Sequence, residues 1–350
     1  MTTIREVAKV AAVSPTTVSH VINGTRYVSD GIRARVLSAI KRLGYQHNTL
    51  ARSLRRGETH SVGLILPDSA NPFFATIGRG IEASAFDLGY SVILCNSEGN
   101  LRRERHYTEV LTKKQVDGIV FVAAGDHAQS LSILLELRVP FVLIDRDLPH
   151  VSADAVLGDN KQGGYLATRH LLGLGHRRIG CISGPSNITP SADRVAGYRQ
   201  ALTEAVLPND EGLIFQGDFH PMSGRMAALE LLDQPKPPTA IFACNDLMAI
   251  GVIRAAAELN RRIPEDLAVV GFDDIELATF TEPPLTTVRQ PAAEMGRRAV
   301  QLLIDRIRNR ELPSRREIFP TVLTIRSSCG GYRNLHDSVM TGAAGVGVNS

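Results

Sequence analysis

Polar and aromatic residues stand directly after short apolar runs throughout residues 61–290, or open the segment that follows such a run. Carboxylates, amides and guanidinium groups suit hydroxyl groups, which both donate and accept hydrogen bonds, and a phenyl ring can cover the apolar face of a sugar. This set predicts a site for a small polyhydroxylated ligand, although any single Asp here is more often a helix cap, as expected for Asp246 and Asp274. The residues concerned are Asn71, Phe73, Phe74, Asp145, Arg146, Asp159, Asn160, Asp193, Arg194, Asp218, Phe219, Asn245, Asp246, Asp273, Asp274 and Gln290.

A second row of polar residues lies near the N-terminus, where Thr16, His20 and Asn23 are spaced as i, i+4 and i+7. On a helix this spacing places all three side chains on one face. Thr, His and Asn can donate to and accept from base edges in the major groove of DNA. The row therefore indicates a DNA-reading helix, and the alternative is the solvated face of an ordinary three-helix bundle.

Three short helices are predicted to position that row. Thr3 and Glu6 form a capping box before the first helix, and Ser14 followed by Pro15 is typical of the start of the second. Ser29 is the expected cap of the third helix. A tight turn between the first two helices favours a helix-turn-helix. The third helix is expected to bury Ile32, Val36, Leu37, Ile40 and Leu43.

From residue 61 onward, short β-branched runs alternate with helical segments, first over residues 61–144 and again over residues 178–271. Such alternation predicts parallel sheets connected by right-handed crossovers, and two series predict two doubly wound lobes. Ligands of these sheets bind at the carboxyl ends of the strands, where the polar residues described above are found. The predicted ligand site is thus a cleft between two lobes.

Composition and charge narrow the class of protein. The 350 residues are 43% hydrophobic and 21% charged, with no apolar run long enough to cross a bilayer and no signal peptide, so a cytoplasmic protein is expected. The four cysteines are scattered, which predicts neither a metal site nor disulfides, and no cofactor is expected. Residues 1–60 contain ten Lys/Arg and three acidic residues, whereas the remainder carries a net charge of −4. A basic head on an acidic body suits a DNA-binding module.

The N-terminal segment IREVAKVAAVSPTTVSHVINGTRYVSDGIRARVLSAIKRLGY resembles the DNA-binding headpiece of the LacI/GalR family over its whole length, and VSPTTVSHVIN is its most specific part. The resemblance implies that Thr16, His20 and Asn23 face bases and that Thr17, Ser19 and Arg26 lie near phosphates. It further implies a hinge helix that folds on DNA, with Leu54 entering the minor groove and Arg55 lying along it. It implies a homodimer on a palindromic operator.

The body resembles periplasmic-binding-protein-like regulatory domains through motifs such as SANPFFATIGRGIE, LIDRD, ADRVAGYR and CNDLMAIGV. The resemblance implies that a small sugar, D-ribose, binds in the cleft and acts as an inducer. It implies no further cofactor and no membrane partner. The implied sugar contacts are Asn71, Phe73, Phe74, Asp145, Arg146, Asn160, Arg194, Phe219, Asn245, Asp273 and Gln290.

The predicted organisation has a headpiece at 1–47, a hinge at 48–60, a sensing and dimerisation domain at 61–328 and a disordered tail at 329–350. Lobe one is predicted at about 61–158 and 291–320, and lobe two at about 159–290 and 321–328. The expected class is therefore an all-α helix-turn-helix headpiece followed by an α/β two-lobed domain of parallel doubly wound sheets.

Three alternative functions make different demands on the sequence. A purine-type repressor, in which a nucleobase tightens DNA binding, shares this headpiece, and the Asp145-Arg146 pair and Asn245 argue against it because purine-sensing relatives tend to differ there. A transport binding protein would need a signal peptide and would lack the basic head. An enzyme is not expected, because no P-loop, metal-ligand spacing or nucleophile elbow is present.

Overall fold

The protein, examined as a computed structural model, is described over residues 2–45, 58–125, 129–148 and 150–331. It divides into two compact units, Met1–Thr59 and His60–Ser350. The predicted hinge residues Leu54 and Arg55 lie outside the described residues, as do residues 332–350 of the predicted tail.

The first unit contains three helices, which are α1 (Ile4–Ala11), α2 (Pro15–Asn23) and α3 (Asp30–Leu43). The predicted capping box is present: Glu6 N donates to Thr3 Oγ1 at 3.3 Å, and Thr3 N donates to Glu6 Oε2 at 2.7 Å. Ala12 closes α1 at φ +51°, and Ser14 Oγ then accepts from Thr17 N at 3.0 Å to start α2. Local capping therefore accounts for the tight turn between α1 and α2.

The core of this unit is small and built from Val and Ala. The prediction that Leu37 points inward is wrong, because its side chain is 52% exposed. Successive helix residues differ by about 100° in direction, so α3 cannot bury both Val36 and Leu37 on one narrow stripe. Ala39 is buried on that stripe instead. The buried residues are Val7, Ala8, Ala11, Val18, Val21, Val28, Val36 and Ala39.

Lobe one of the second unit is built on a six-stranded sheet whose paired strands all run parallel. In spatial order the strands are β11 (Arg316–Phe319), β5 (Asp154–Gly158), β4 (Phe141–Ile144), β3 (Gly118–Phe121), β1 (Ser61–Leu66) and β2 (Ser91–Asn96). Its helices are α4 (Pro72–Asp87), α5 (Leu101–Lys113), α6 (Gln129–Glu136) and α11 (Ala292–Arg308). Near-continuous apolar strands such as β3 and β4 are buried, as a sheet covered on both faces requires.

Lobe two repeats this plan. In spatial order its strands are β12 (Val322–Thr324), β10 (Thr286–Arg289), β9 (Ala268–Asp273), β8 (Ala240–Ala243), β6 (Ile179–Ser183) and β7 (Ile214–Gln216). Its helices are α7 (Asn160–Gly173), α8 (Thr189–Glu204), α9 (Pro221–Leu232) and α10 (Asp246–Glu258). Short 3₁₀ turns cover Glu211–Leu213 and Glu276–Thr279. The pair β10–β12 is antiparallel, and the other pairs run parallel.

The chain passes between the lobes three times, from β5 to α7, from β10 to α11 and from β11 to β12. Helix α11 packs on α4, β3, β4 and β5 and so belongs to lobe one, although lobe two precedes it in the chain. Each lobe is therefore assembled from two separate stretches of sequence.

The predicted start of the disordered tail at residue 329 is wrong. Cys329 is 3% exposed, and its Sγ lies 3.1 Å from Thr286 Oγ1 and 3.2 Å from His170 Nε2. A methyl group on Gly331 would contact the His170 ring, so the packed chain continues at least this far.

The predicted fold class is confirmed, with a helix-turn-helix unit and a two-sheet α/β unit. None of the described helices has the length and apolar character to span a bilayer.

Candidate ligand-binding cleft and DNA-binding helix

A small cavity lies where the carboxyl ends of both sheets meet. Nine of the eleven residues predicted from the resemblance line it. The lining residues are Asn71, Phe73, Phe74, Asp145, Arg146, Ile188, Pro190, Arg194, Phe219, Asn245 and Asp273.

The start of α4 supplies the aromatic part of the lobe-one wall. Asn71 is the N-cap of α4, and its Oδ1 accepts from Phe73 N at 3.0 Å. This cap places Phe73 and Phe74 in the first helical turn, where their rings meet edge to face with centroids 5.3 Å apart. Both rings are buried, so the wall presents an apolar surface to a ligand.

The end of β4 supplies the polar part of the same wall. Asp145 adopts φ +66°, and its Oδ2 lies 3.9 Å from Arg146 Nε. Arg146 Nη1 donates to the Ala123 carbonyl, and the guanidinium lies over the Phe74 ring at 5.8 Å. Asp145 Oδ1 and Arg146 Nε are buried and make no hydrogen bond to any described residue. The polar wall is thus fixed in place but still has one acceptor and one donor to offer.

Arg194 on α8 is the centre of the lobe-two wall. Its Nε donates to Asn160 Oδ1 at 2.8 Å, and its Nη1 donates to the Cys244 carbonyl at 2.5 Å. Nη1 also lies 3.5 Å from Asp273 Oδ1, and the guanidinium covers the Phe272 ring at 3.8 Å. These contacts hold Arg194 in one orientation toward the cavity.

Two glycines allow α8 to lie close enough for those contacts. A methyl group on Gly164 of α7 would stand 2.2 Å from the Arg194 carbonyl oxygen. A methyl group on Gly197 of α8 would stand 2.0 Å from the Lys161 carbonyl oxygen. Each helix therefore meets the backbone of the other, and the position of Arg194 depends on residues without side chains.

Asn160 and Gln290 lie behind the cavity wall. Asn160 holds Arg194, and Gln290 Nε2 donates to Asp273 Oδ1 at 2.9 Å. Neither lines the cavity, so their predicted contacts with a ligand stay predictions. Gln290 Oε1 is buried and makes no hydrogen bond to any described residue.

Asn245 and Phe219 complete lobe two. Asn245 is the N-cap of α10: its Oδ1 accepts from Met248 N at 2.9 Å, while its Nδ2 donates to the Phe219 carbonyl at 3.0 Å. Phe219 adopts φ +70°, and its ring occupies the space that a side chain at Gly184 would need. Phe219 therefore forms a second aromatic side of the cavity. It belongs to lobe two, whereas the α4 rings belong to lobe one.

Burial dominates the electrostatics of the site. Loss of solvent raises the pKa of Asp273 to about 7, and the nearby Arg194 opposes that rise. Loss of solvent also raises the pKa of the Asp145 carboxyl, against the effect of Arg146 and Arg194. Two buried carboxyl groups and two buried guanidinium groups thus line the cavity, and both kinds of group can hydrogen bond to a polar ligand.

Sequence reasoning missed Ile188 and Pro190, which line the cavity at the start of α8. They follow β6, as the polar candidate residues follow other strands, but their side chains are neither polar nor aromatic. An apolar residue before a helix start gives no chemical signal of its own.

In the first unit, Thr16 and Arg26 are exposed, and Thr17, Ser19 and His20 are half-buried. Thr17 Oγ1 lies 2.9 Å from Ser14 Oγ, and His20 Nδ1 lies 2.8 Å from Thr25 Oγ1. All but Arg26 lie on α2, and the row predicted to face bases is present on its surface.

Asn23 differs from the other two members of that row. Its Nδ2 donates to the Ser19 carbonyl at 2.8 Å and lies 3.1 Å from Ser19 Oγ. The amide therefore stabilises the end of α2, while its Oδ1 has no hydrogen-bond partner among the described residues. In this conformation the amide oxygen of Asn23 is buried, and its amide nitrogen is used within α2.

Comparison with known proteins identifies the family. The lacI family of bacterial regulatory proteins matches residues 3–48, and a periplasmic binding protein-like domain matches residues 168–329. The ribose operon repressor of Escherichia coli (strain K12) is 42% identical over 329 residues, covering 94% of this chain and 100% of that protein. The chain belongs to the LacI family of bacterial regulatory proteins.

Another relative of this LacI-family chain is not named as a ribose repressor. The transcriptional repressor PurR of Aliivibrio salmonicida (strain LFI1238) is 39% identical over 331 residues, covering 93% of this chain and 99% of that repressor. Both relatives are named as repressors, so this LacI-family protein is a DNA-binding transcriptional repressor.

Solved structures agree with the fold. A lac repressor dimer bound to operator and an anti-inducer is 27% identical to this LacI-family chain, with a TM-score of 0.85, covering 94% of this chain and 99% of that one. A LacI-family regulator from Enterococcus faecium with bound ribose is 32% identical, with a TM-score of 0.70, covering 77% of this chain and 98% of that one.

Proposed function

We propose that this chain is a repressor that binds a palindromic operator as a homodimer and is released from it by a small sugar, D-ribose. The identity to a ribose operon repressor supports the choice of effector, as does the likeness to a ribose-bound regulator. The likeness to an operator-bound lac repressor dimer supports the assembly.

One observation carries the sugar part of the proposal. Asp145 and Arg146 line the cavity, and Asp145 Oδ1 and Arg146 Nε are buried and lack a hydrogen-bond partner among the described residues. A buried polar atom without a partner costs about 1–3 kcal/mol, so the site gains from a ligand that supplies both a donor and an acceptor. A hydroxyl group is both at once, and a furanose or pyranose ring carries several of them.

The aromatic residues support the same class of ligand. Apolar surface lines the cavity on both sides, from Phe73 and Phe74 of lobe one and from Phe219 of lobe two. A pentose has C–H faces that such rings cover, and hydroxyl edges that Asp145, Arg194 and Asp273 can reach. The ligand then touches both lobes and stabilises the arrangement in which they are close.

Coupling to DNA follows from that contact with both lobes. A ligand changes operator affinity only if it binds one arrangement of the protein more tightly than another, and such coupling is typically about 1–3 kcal/mol. We propose that the sugar favours an arrangement in which the two headpieces of a dimer no longer fit two half-sites.

The test begins with a duplex that the protein itself selects from a random palindromic library. Fluorescence anisotropy then measures its affinity with and without D-ribose, and calorimetry measures ribose binding. We expect ribose to bind saturably and to weaken operator binding by about tenfold or more, the scale that the coupling free energy allows. Asp145→Asn should abolish the response to ribose but retain binding of the operator alone.

The matched control is Asp233→Asn, which removes the same charge from an exposed carboxylate that does not line the cavity. It should respond to ribose as the wild type does. A wild-type protein that binds no pentose, or whose operator affinity ribose leaves unchanged, would contradict the proposal.

A second candidate is a purine-type repressor, because PurR is 39% identical over nearly the whole chain. Guanine and hypoxanthine are therefore included in the same titrations. If either one binds and tightens operator binding while ribose does neither, the purine function replaces the sugar function.

A further inference from the structure

The small cavity opens into a larger outer compartment of about 260 Å³. The two share Asn71, Phe74, Arg146, Ile188 and Phe219, so the outer compartment continues the cleft toward solvent. A ligand larger than a pentose has room there for a substituent. Space alone therefore does not exclude a phosphorylated sugar.

The outer compartment carries acidic residues from both lobes. Asp68 follows β1 in lobe one, and Asp218 follows β7 in lobe two. Each accepts a hydrogen bond within its own turn, from Ala70 N and His220 N respectively, both at 2.9 Å. Within the described ranges neither carboxylate forms an ion pair, unlike Glu98 on the same wall, which is paired with Arg103. The charges of Asp68 and Asp218 are thus uncompensated.

The basic side chains of this compartment do not offset that charge. Arg146 lines it but is only 6% exposed, and the carboxylates of Asp145 and Glu104 interact with it. His220 is exposed and is the other basic residue of the lining.

Helix N-termini are the other groups that could hold a phosphate. Helices α4 and α10 begin at the cleft, and each uses an N-terminal N–H group on its own cap: Asn71 Oδ1 accepts from Phe73 N, and Asn245 Oδ1 accepts from Met248 N. Helices α8 and α9 begin at Ile188 and His220 of the outer compartment without a side-chain cap, and each has a proline in its first turn, which lacks an N–H group. An anion in the outer compartment would therefore meet two carboxylates without ion pairs and helix starts that have each lost an N–H group to a cap or to proline.

We propose that Asp68 and Asp218 make the cleft selective for uncharged sugars and exclude sugar phosphates. This inference rests on the proposed sugar-sensing function and adds a determinant of specificity to it. Arg146 Nε and Asp145 Oδ1, which have no hydrogen-bond partner among the described residues, take the hydroxyl edge of the sugar in the inner cavity. The carboxylates then repel a phosphate ester that extends from that sugar toward solvent. A repressor built in this way responds to a free sugar before phosphorylation and not to the product of a sugar kinase.

The test compares the affinities for D-ribose and D-ribose 5-phosphate by calorimetry at low ionic strength. The pH is 8, which is above the ordinary pKa range of histidine side chains. Wild-type protein should bind ribose at least about a hundredfold more tightly than the phosphate, because a doubly charged ester faces two nearby carboxylates. Asp68→Asn/Asp218→Asn should narrow this ratio by about tenfold or more, because ribose 5-phosphate gains affinity when the two charges are removed. Added salt should narrow the wild-type ratio, since it screens exposed charges.

The matched control is Asp87→Asn/Asp233→Asn. These residues stand at the far ends of α4 and α9, the helices whose first turns follow Asp68 and Asp218. At 1.5 Å per residue they lie about 18–22 Å from those first turns, so the same change in net charge should leave the ratio intact. Thermal unfolding checks that both double variants fold.

The outcomes are distinct. Equal binding of ribose and ribose 5-phosphate by the wild type would overturn the proposed exclusion of sugar phosphates and leave ribose sensing in place. The same conclusion would follow if both double variants had the affinity ratio of the wild type. A wild type that binds neither ligand overturns both.

Discussion

Gly164 of α7 lies so close to α8 that a methyl group in its place would stand 2.2 Å from the carbonyl oxygen of Arg194. The obstacle is backbone, which cannot rotate away as a side chain can. Gly164→Ala must therefore push α8 outward, and with it the guanidinium that contacts Asn160, Cys244 and Asp273. We expect the free energy of unfolding to fall by about 1–3 kcal/mol and ribose affinity to fall at least tenfold. Chemical denaturation and calorimetry measure the two effects.

Gly173→Ala is the control, because it lies at the end of the same helix with nothing within 4 Å of the added methyl. Its stability and ribose affinity should stay close to wild type. If Gly164→Ala behaved in the same way, the helix contact would not position Arg194.

Gly184→Ala separates positioning from stability. Its added methyl would meet the Phe219 ring at 2.0 Å, and this neighbour is a half-buried side chain that can rotate. We expect a loss of stability below about 1 kcal/mol but a clear loss of ribose affinity, because the displaced ring changes the cavity wall. Thermal unfolding and calorimetry on one preparation measure the losses of stability and of ribose affinity. Unchanged ribose binding would show that the Phe219 ring does not contact the ligand.

Asp273 gives a dependence of stability on pH. Loss of solvent raises its pKa in the folded chain to about 7, above the ordinary 3.8, so the folded state holds a proton that the unfolded state releases. The contribution of this group to stability is full below about pH 4 and is lost as pH rises through 7. Asp273→Asn cannot release that proton. The melting temperature of the variant relative to wild type should therefore rise between pH 4 and pH 8.

The control for this effect is Asp233→Asn, an exposed carboxylate of the same type. Its melting temperature should follow that of wild type across the range. A constant difference between Asp273→Asn and wild type would mean that the carboxyl stays ionised in the folded protein.

Thr16→Val tests the reading row on α2. The change keeps the shape of the exposed side chain but removes the hydroxyl that is predicted to meet a base edge. We expect operator affinity to fall by about 1–3 kcal/mol, while affinity for unrelated duplex at the same salt concentration stays constant. Ser38→Ala, an exposed change on α3, should alter neither. Equal losses on both duplexes would place Thr16 at a phosphate.

The sequence predicted the elements best where local chemistry decides them. The capping box at Thr3 and Glu6 and the Ser14-Pro15 start of α2 depend on neighbours within four residues, and both are present. Nine candidate residues predicted at strand ends line one cavity, because parallel strands end at a common edge.

The failures concern packing between distant segments. Leu37 is exposed because α3 buries a narrow stripe of small residues, and Cys329 is buried because it reaches Thr286 and His170. No local pattern records which of two neighbouring apolar residues a partner helix covers. A Gly-rich tail likewise gives no sign of where its packed portion ends.

The threefold passage of the chain between the lobes constrains how the body can be synthesised. Lobe one begins at β1 but lacks α11 and β11 until residue 319, and lobe two lacks β12 until residue 324. Neither sheet can be completed on the ribosome before almost all of the described chain has emerged, and the two are then finished within a few residues of each other. A nascent or truncated chain therefore exposes unpaired strand edges on both lobes, and a single cut at a lobe boundary cannot release an intact half.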